Sequence, residues 1–434
     1  MEATFHARRP GLGGAYAPPA DKSITHRSLL FAAVAEGTSV VRRPLATGDC
    51  RSTRACLERL GIAIAETADG TLIIRGAGLR GFREPAGVLD AVNSGTTLRL
   101  LAGMLAGLPL FATITGDASL LARPMARVLE PLRAMGALIE ARAGGTLAPL
   151  CFLPGTGTLR PLSWDLPVAS AQVKGALVLA ALRAEGPSRI GGRIGSRDHT
   201  ERMLGAGLGL GVRVEAGRLS VEPARNVPGF EIGVPGDVSS AAFFIAGSLV
   251  SGRQLLVCGC GLNATRLGFL EVARRMGATV QTSEEGSSLG EPWGSVQVTP
   301  GRLRAATVGP EEVPGLIDEV PLIAVLGLFA DGVTEVRGAD ELRYKESDRL
   351  AAILRLAGAL GGRIEPLADG FRVEGPQRLA GGTVDPAGDH RIAMAAAIAG
   401  AGTEAEVRVT DIDCARVSYP DFVSDYRSLG GTVA

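Results

Sequence analysis

A pattern that recurs six times along the chain constrains the fold more than any other feature of its 434 residues. Each repeat opens with a short polar cluster followed by an Ala- and Leu-rich run, and a second amphipathic run ends at a glycine roughly forty residues later. The polar openings are Asp21-Lys22-Ser23, Asn93-Ser94-Gly95-Thr96, Ser170-Ala171-Gln172, Asp237-Val238-Ser239-Ser240, Ile317-Asp318-Glu319 and Asp389-His390-Arg391. The closing glycines are Gly61, Gly136, Gly209, Gly277, Gly361 and Gly430.

Each repeat is predicted to contain a helix, a strand, a second helix and two further strands. One helix per repeat is apolar on nearly all sides, as in residues 98–110 and 393–401, and such a helix has to be buried. Small aliphatic side chains must fill the cores, since only 4% of the residues are aromatic and 60 are Gly. The pattern therefore indicates layered α/β structure in two or three domains. A generic α/β array, in which the register of the repeats is a coincidence, is the alternative.

Charge and cysteine usage exclude several classes of protein. Lys and Arg together number 45 and so do Asp and Glu, so no overall field attracts nucleic acid or an anionic membrane. The six cysteines lack the paired spacing of a zinc site and are expected to be reduced thiols without a metal. The sequence shows no apolar signal segment at its start and no run of about 18 apolar residues, from which we expect a cytoplasmic protein.

The polar openings predict sites for anions. Asp, Ser, Asn or Thr at a helix start satisfies free backbone N–H groups, and the helix N-terminus carries a partial positive charge. If the repeats pack as three plus three, several of these N-termini can face one cleft. The chain is expected to cross between domains near residues 20 and 236, where Pro and Gly interrupt the pattern, and the two crossings would form a hinge.

Residues 341–350 carry a dense group of charged side chains. Lys345, Glu346 and Arg349 are expected at the start of an amphipathic helix, and such a charge run is usually a solvated face. In the same repeat, however, Asp318 and Glu319 lie between apolar residues. A carboxylate in those surroundings needs a cation or acts as a base, so this repeat is a candidate for acid–base chemistry.

Eight stretches of the chain carry motifs in a characteristic order. They are Asp21-Lys22-Ser23 with Arg27, Asn93-Ser94-Gly95-Thr96-Thr97-Leu98-Arg99, Ala122-Arg123-Pro124-Met125, Ser170-Ala171-Gln172-Val173-Lys174, Ser196-Arg197-Asp198-His199-Thr200-Glu201, Ile317-Asp318-Glu319, Leu342-Arg343-Tyr344-Lys345-Glu346-Ser347-Asp348-Arg349-Leu350 and Gly388-Asp389-His390-Arg391-Ile392-Ala393-Met394. All eight resemble the motifs of 5-enolpyruvylshikimate-3-phosphate synthases and occur in that family's order. The matches extend from one end of the chain to the other, which leaves little room for chance.

The resemblance implies an α/β (α+β) fold of two domains, each with three pseudo-symmetric βαβαββ units and buried helices. The first domain would comprise residues 1–20 and 237–434, and the second residues 21–236. It also implies transfer of the enolpyruvyl (carboxyvinyl) group of phosphoenolpyruvate to the 5-hydroxyl of shikimate 3-phosphate, a step of the shikimate pathway. The enzyme would be a monomer that binds these two small molecules, uses no cofactor, and binds neither nucleic acid nor a membrane.

The same resemblance implies two overlapping sets of substrate-binding residues. Shikimate 3-phosphate would be held by Lys22, Ser23, Arg27, Ser170, Ala171, Gln172, Arg197, Asp318 and Lys345. Phosphoenolpyruvate would be held by Lys22, Gly95, Arg123, Gln172, Arg349 and Arg391.

These residue types suit the chemistry. The two substrates bring four anionic groups together, which Arg binds through its planar fork and Lys through a compact charge. We assign Asp318 as the base toward the 5-hydroxyl, Glu346 as the acid toward the methylene of phosphoenolpyruvate, and Lys22 as a group that stabilises or relays charge. Fixed positive charge removes the need for a metal.

Several positions differ from other members of the family. Val417, beside Arg416, stands where some members have a Lys that contacts phosphoenolpyruvate. Some members have an aromatic residue near His199, where this chain has Arg197-Asp198-His199-Thr200, and Glu341 stands where others have a substrate-binding Asn. Gly95 is expected to leave open the space that glyphosate, a competitor of phosphoenolpyruvate in this family, requires.

Three rival hypotheses are less well supported. A UDP-N-acetylglucosamine enolpyruvyl transferase would have a Lys-Asn pair in the first opening and a loop Cys, whereas this chain has Lys22-Ser23 and no Cys in residues 116–122. An RNA terminal-phosphate cyclase would show a basic face. A catalytically dead paralogue that only binds metabolites would be expected to lack Asp318 or Glu346, and both are present.

Overall fold

The computed structural model describes residues 1–6 and 11–434 of the chain. The strands, in chain order, are β1 (Ala3–His6), β2 (Gly14–Tyr16), β3 (Glu36–Arg42), β4 (Ala63–Glu66), β5 (Leu72–Ala77), β6 (Leu89–Asp90), β7 (Ala112–Thr115), β8 (Ile139–Ala141), β9 (Leu147–Phe152), β10 (Ser163–Leu166), β11 (Ser188–Gly192), β12 (Val212–Glu215), β13 (Arg218–Val221), β14 (Glu231–Gly233), β15 (Leu255–Gly261), β16 (Thr279–Ser288), β17 (Glu291–Thr299), β18 (Thr307–Val308), β19 (Gly332–Val336), β20 (Glu365–Leu367), β21 (Gly370–Gly375), β22 (Gly382–Val384), β23 (Val407–Val409) and β24 (Thr432–Val433).

The helices, also in chain order, are α1 (Lys22–Val34), α2 (Gly48–Arg59), α3 (Gly95–Leu105), α4 (Ala118–Leu121), α5 (Ala126–Ala134), α6 (Arg142–Gly145), α7 (Ala171–Ala181), α8 (His199–Glu201), α9 (Val238–Ser251), α10 (Gly268–Arg275), α11 (Val320–Phe329), α12 (Arg349–Ala359), α13 (His390–Ala401) and α14 (Phe422–Ser428). Short 3₁₀ helices cover Ala264–Arg266, Val313–Gly315, Asp340–Tyr344 and Ile412–Val417, and a π-helical segment, Arg202–Gly207, follows α8.

Within the described residues, the strands form six four-stranded sheets that share one topology. In each sheet an edge strand pairs in parallel with its neighbour, which pairs antiparallel with the third strand. The strand orders are β14-β3-β5-β4, β6-β7-β9-β8, β10-β11-β13-β12, β2-β15-β17-β16, β18-β19-β21-β20 and β22-β23-β1-β24. With the helices between their strands, these are six βαβαββ repeats.

Three repeats borrow a strand from a distant part of the chain. The repeat that contains α1 takes β14 as its first strand, with Glu231 opposite Val40, and the repeat that contains α9 takes β2. The repeat that contains α13 is completed by β1, which pairs with both β23 and β24. These exchanges link the end of each series of repeats to its beginning.

Contacts divide the chain into two compact units, here called lobes. Lobe 1 comprises Met1–Pro19, Pro235–Gly286 and Pro292–Ala434, and lobe 2 comprises Ala20–Val234 and Ser287–Glu291. The chain therefore passes between the lobes near residues 19–20 and 234–235, and again on both sides of the turn between β16 and β17. The sequence pattern does not indicate that this turn belongs to lobe 2.

The first helix of each repeat is buried along most of its length, as its composition predicts; these helices are α1, α3, α7, α9, α11 and α13. In five of them a side chain of the polar opening accepts a hydrogen bond from a backbone N–H of the first turn; the capping residues are Asp21, Ser94, Ser170, Asp237 and Asp389. Such a cap contributes about 1 kcal/mol. The N-cap of α11, Glu319, makes no bond of this kind.

The predicted glycine endings adopt the backbone conformation that requires glycine. The second helices are followed by Gly61, Gly136, Gly209, Gly277, Gly361 and Gly430, all with positive φ, between 68° at Gly209 and 104° at Gly277. An L-residue with a side chain rarely adopts this left-handed region, so these glycines end the helices and turn the chain into the next strand.

Each lobe has its own apolar core, and both are built around the buried helices. In lobe 2, α3 and α7 approach closely because Gly103 lacks a side chain; a Cβ there would lie 2.0 Å from the carbonyl oxygen of Ala176. The starts of the two helices consequently lie side by side, and Gln172 Nε2 donates to Thr96 Oγ1 at 3.0 Å.

The predicted fold class, α/β with two groups of three βαβαββ repeats, is confirmed by this arrangement. In the described residues no helix is long and apolar enough to span a membrane. The six cysteines form no disulfide among the described residues.

Candidate active site

The candidate residues form two charged clusters, one in each lobe. The cluster of lobe 1, here called the acid cluster, contains Asp318, Glu319, Lys345, Glu346, Arg349, Asp389 and Arg391. The cluster of lobe 2, here called the basic cluster, is arranged around the starts of α1, α3 and α7 and contains Lys22, Arg27, Arg99, Arg123, Gln172 and Arg197.

Arg349 lies at the centre of the acid cluster. It is the first residue of α12, its side chain is 1% exposed, and each edge of its guanidinium faces a carboxylate. Nε lies 2.9 Å from Asp389 Oδ2, Nη1 lies 3.1 Å from Asp318 Oδ1, and Nη2 lies 2.6 Å from Glu346 Oε2. Burial lowers the pKa of Arg349, but the charges of the three carboxylates outweigh burial and raise it above its ordinary value.

The local sequence explains why these acids meet. Asp348 caps α12, so the chain turns immediately before Arg349, and Lys345 and Glu346 lie in the segment that leads into the helix rather than within it. Lys345 Nζ lies 3.3 Å from Asp318 Oδ1. Asp318 thus contacts two cations, and the two predicted proton carriers, Asp318 and Glu346, are held by the same guanidinium.

Asp389 organises the other side of this cluster. As the N-cap of α13 it accepts from the backbone N–H of Arg391 at 3.0 Å, and it also accepts from Ser347 Oγ at 2.9 Å. Burial raises the pKa of Asp389, but the charge of Arg349 more than offsets burial and holds the pKa below its ordinary value. The sequence analysis did not assign Asp389 to the site, although its place in a polar opening was a signal.

Arg391 is anchored through one nitrogen. Its Nη1 lies 2.9 Å from Ser239 Oγ, 3.4 Å from Glu319 Oε1 and 3.4 Å from the carbonyl oxygen of Asp318. Its guanidinium carbon lies 5.7 Å from the centre of the Phe243 ring. Glu319 and Ser239 were also absent from the predicted site.

In the basic cluster, α1 contributes Lys22 and Arg27. Lys22 Nζ lies 3.0 Å from Asp49 Oδ2, a contact that the sequence did not suggest. Arg27 donates from Nη1 to the carbonyl oxygen of Ser23 at 3.0 Å and from Nε to Thr200 Oγ1 at 2.8 Å. Burial lowers the pKa of Arg27 to about 10, and the charge of Arg197 contributes weakly in the same direction.

Gly95 begins α3, and the space beside it is lined by polar side chains. A Cβ at this position would lie 2.5 Å from Arg99 Nη1, 3.4 Å from Arg123 Nη1 and 3.7 Å from Gln172 Oε1. The expectation that this space is open is therefore wrong, because the guanidinium of Arg99 occupies part of it. Arg99 lies one helical turn after Gly95 and donates to Gln172 Oε1 at 2.7 Å, a position that helix periodicity could have identified.

Arg123 contributes a second guanidinium at the start of α3. Its Nη2 donates to Asn93 Oδ1 at 2.7 Å. Ser170 caps α7 and Ala171 is the first residue of that helix, which places Gln172 beside Thr96. The structure thus brings together the predicted lobe 2 residues of these two helix starts.

The segment of residues 194–201, which carries Arg197, is held by a buried lysine. Lys174 Nζ donates to the carbonyl oxygens of Ile194 and Ser196 at 3.0 and 3.2 Å and lies 2.5 Å from Glu201 Oε1. These partners account for the three N–H donors of the ammonium. His199 Nδ1 pairs with Glu291 Oε1 at 2.9 Å, which ties the turn between β16 and β17 into lobe 2.

Arg416 does not take part in the acid cluster. Its side chain is 69% exposed, and its Nη1 lies 3.6 Å from Asp413 Oδ1. Among the described residues, no group of three or more His, Cys, Asp or Glu side chains could hold a metal ion.

The match of a family profile shows to which family the chain belongs. The profile of EPSP synthase (3-phosphoshikimate 1-carboxyvinyltransferase) matches residues 9–426. The chain belongs to the EPSP synthase family. The match includes both lobes, and it confirms the family expected from the eight motifs.

Individual members of the EPSP synthase family are similar over nearly the whole chain. The 3-phosphoshikimate 1-carboxyvinyltransferase of Synechococcus sp. (strain JA-3-3Ab) is 46% identical over 422 residues, which cover 96% of this chain and 95% of that protein. That of Chloroflexus aurantiacus (strain ATCC 29366 / DSM 635 / J-10-fl) is 46% identical over 416 residues, with 95% of each chain covered. A solved EPSP synthase structure from Acinetobacter baumannii has a TM-score of 0.87 at 35% identity and covers 100% of this chain and 99% of that one.

Proposed function

We propose that the chain transfers the carboxyvinyl group of phosphoenolpyruvate to the 5-hydroxyl of shikimate 3-phosphate and releases phosphate, as a step of the shikimate pathway. Family membership supports this activity, since relatives named 3-phosphoshikimate 1-carboxyvinyltransferase match over 95% or more of their length. The residue types of the two charged clusters support it too, because the reaction needs groups that bind anions and groups that transfer protons.

The charges of the two clusters support different roles for them, anion binding for the basic cluster and proton transfer for the acid cluster. In the acid cluster, the carboxylates of Asp318, Glu319, Glu346 and Asp389 outnumber its three cations. The basic cluster has the opposite balance. We therefore assign most of the anion binding to the basic cluster, with Lys22, Ser23, Arg27, Ser170, Ala171, Gln172 and Arg197 for shikimate 3-phosphate and Lys22, Gly95, Arg123 and Gln172 for phosphoenolpyruvate.

The acid cluster is assigned the proton transfers. Asp318 accepts the proton of the 5-hydroxyl as its oxygen attacks C2 of phosphoenolpyruvate, and Glu346 donates a proton to the methylene carbon, giving a tetrahedral adduct. Glu346, left as a carboxylate, then takes a proton back from the resulting methyl group, the C2–O bond to phosphate breaks, and the enol ether forms. Lys22 stabilises the developing charge, and each proton transfer can be worth roughly 10²–10⁴ in rate.

We assign three residues of lobe 1 as further substrate contacts: Lys345 for shikimate 3-phosphate, and Arg349 and Arg391 for phosphoenolpyruvate. Arg349 is 1% exposed and already faces three carboxylates, and we propose that it binds phosphoenolpyruvate by exchanging one of them for the ligand. If the ligand takes the place of Glu346, the carboxyl group of Glu346, which is the proposed acid, is released from Arg349 at the same time. Ligand binding and activation of Glu346 would then be one event.

The observation that carries the proposal is the convergence of Asp318 and Glu346 on one guanidinium, 3.1 and 2.6 Å from its two terminal nitrogens. The test is to incubate the protein with phosphoenolpyruvate and shikimate 3-phosphate and to measure released phosphate and the carboxyvinyl product. Phosphate release that requires both substrates is expected. Release without shikimate 3-phosphate, or with UDP-N-acetylglucosamine in its place, would contradict the proposal, and binding of both substrates without release would indicate a metabolite-binding paralogue.

We further propose that the enzyme acts as a cytoplasmic monomer without a nucleic-acid partner and without a cofactor. The equal numbers of basic and acidic residues support the absence of a nucleic-acid partner. The chemistry supports the last point, since addition and elimination here need only proton transfer and charge stabilisation.

A further inference from the structure

Glu319 departs from a rule that the equivalent positions follow. In five repeats the N-cap side chain of the buried helix accepts a hydrogen bond from the first turn, whereas Glu319, the N-cap of α11, does not. Glutamate is also outside the set of preferred N-cap residues. A local rule broken at one of several equivalent positions points to a role in function.

The carboxylate of Glu319 is used for another purpose. Its Oε1 accepts a hydrogen bond from Ser239 Oγ and lies 3.4 Å from Arg391 Nη1. The three side chains are nine-tenths or more buried. Ser239 Oγ in turn accepts a hydrogen bond from the same Arg391 Nη1 at 2.9 Å, so the hydroxyl bridges the carboxylate and the guanidinium.

These contacts fix one end of Arg391 and leave a donor on its other side. Arg391 Nε is buried and has no hydrogen-bond partner in the described part of the chain. A buried donor without an acceptor is costly, which makes this edge of the guanidinium a place for the oxygen of a bound anion. The ring of Phe243 lies against the guanidinium and limits its movement further.

We infer that Glu319, with Ser239, is a positioning residue that holds Arg391 in the orientation required to bind phosphoenolpyruvate. The inference rests on the proposed function, which assigns Arg391 to that substrate. Arg391 Nη1 also faces the carbonyl oxygen of Asp318, so the same anchor fixes the anion-binding guanidinium relative to the backbone of the proposed base. Glu319 acts through Arg391 and contacts neither substrate.

A positioning role and a purely electrostatic role predict opposite changes in phosphoenolpyruvate binding when Glu319 is removed. A carboxylate near an anion site repels the anion, so if charge alone mattered, removal of Glu319 would strengthen phosphoenolpyruvate binding. If Glu319 positions Arg391, its removal lets the guanidinium reorient and weakens binding. A small displacement of a binding group can cost up to roughly 10²-fold.

The experiment compares Glu319→Ala with Glu319→Gln in steady-state kinetics. Glu319→Ala should raise KM for phosphoenolpyruvate roughly 10- to 100-fold, with kcat and KM for shikimate 3-phosphate within about threefold of the parent. Glu319→Gln keeps an acceptor oxygen and should restore KM to within about threefold. A lower KM for phosphoenolpyruvate in Glu319→Ala, or equal increases for both substrates, would overturn the inference.

A double-mutant cycle with Arg391→Ala tests whether Glu319 acts through Arg391. Once Arg391 is absent, Glu319→Ala should have no further effect on phosphoenolpyruvate binding, measured by equilibrium dialysis; an unchanged loss would overturn the inference. Ser239→Ala should weaken binding in the same direction and replaces Glu319→Ala if that variant does not fold. Dialysis also separates the hypotheses: a parent that binds phosphoenolpyruvate without turnover contradicts the proposed function alone, and a parent that does not bind it contradicts both.

Discussion

Arg349 and Asp389 form a buried ion pair, with Arg349 Nε 2.9 Å from Asp389 Oδ2 and side chains that are 1% and 0% exposed. Asp389 also caps α13 and accepts from Ser347, so one carboxylate joins the starts of α12 and α13. Such a residue stabilises the lobe and at the same time orients the guanidinium to which both proposed proton carriers bind.

The first prediction concerns the stability contribution of this carboxylate. Asp389→Asn keeps an N-cap acceptor but removes the charge, so Arg349 loses one of its three anionic partners. Because two carboxylates remain, the free energy of unfolding of lobe 1 should fall by about 1–3 kcal/mol, measured by urea denaturation. Asp340→Asn, an exposed acid in the same lobe, should change it by less than about 0.5 kcal/mol. Equal effects of the two substitutions would contradict the assignment.

The second prediction concerns the proton carriers. Asp318→Asn and Glu346→Gln preserve shape and remove the titrating groups, so kcat for phosphate release should fall by roughly 10²–10⁴ in each. Binding of shikimate 3-phosphate, measured by calorimetry, should largely survive. Asp340→Asn again serves as the matched control and should retain the parent activity. If either variant kept kcat within a few-fold of the parent, that residue would not be a proton carrier.

The third prediction concerns the buried lysine that holds the segment of Arg197. Lys174→Met leaves Glu201 buried without its cation, which should lower the free energy of unfolding by about 3–5 kcal/mol. The double variant Lys174→Met with Glu201→Gln should recover much of that loss. In the double variant, KM for shikimate 3-phosphate should remain raised, because the carbonyls of Ile194 and Ser196 have lost their donor. Recovery of both stability and KM would contradict a positioning role.

The fourth prediction concerns pH. Burial, together with the charges of Lys22 and Arg27, holds the pKa of His26 well below its ordinary value. Below about pH 6.5 the unfolded chain therefore binds a proton that the folded chain does not, and stability falls as pH falls, by at most about 1.4 kcal/mol per pH unit from this group. His26→Asn, which can keep the hydrogen bond to Thr53, should flatten the slope of unfolding free energy against pH between 6.5 and 5. An unchanged slope in His26→Asn would contradict the prediction.

The repeat architecture could be predicted because its signals are local. A polar residue before an apolar helix and a glycine after the next one each report the conformation of a few neighbouring residues, and both appear in the structure as caps and as positive φ values. The repeat pattern alone does not show which sheets β2 and β14 join, because equivalent sheets offer equivalent edges; the domain bounds implied by the resemblance had already grouped residues 1–20 with 237–434 and had kept residues 21–236 together.

The candidate site was predictable in its residue types more than in its contacts. The cations and acids were identified from motifs, but their partners lie far away in the sequence: Arg349 and Asp389 are 40 residues apart, and Arg391 and Ser239 are 152 residues apart. Arg99 is an exception, because it lies one helical turn after Gly95 and helix periodicity could have predicted that the two are neighbours. Glu319 was not predicted, because only the structure shows that its N-cap position lacks the cap that the equivalent positions have.

The last prediction concerns glyphosate, an inhibitor of this family, for which the sequence resemblance implies competition with phosphoenolpyruvate. A methyl group at Gly95 would lie 2.5 Å from Arg99 Nη1, the far end of a flexible side chain, so Gly95→Ala should displace Arg99 from Gln172 rather than move the backbone. The parent should be inhibited competitively with respect to phosphoenolpyruvate.

For Gly95→Ala, the inhibition constant should rise at least about tenfold, equivalent to about 1.4 kcal/mol, because glyphosate in its extended form is the longer ligand and has less room to adjust. KM for phosphoenolpyruvate should rise less. Gly358→Ala is the matched control, since a Cβ there meets nothing within 4 Å; it should leave both constants unchanged and stabilise α12 by about 0.5–1 kcal/mol. Equal weakening of both ligands by Gly95→Ala would show that the methyl group acts on the shared anion contacts of Arg99, Arg123 and Gln172 rather than on the extra length of glyphosate.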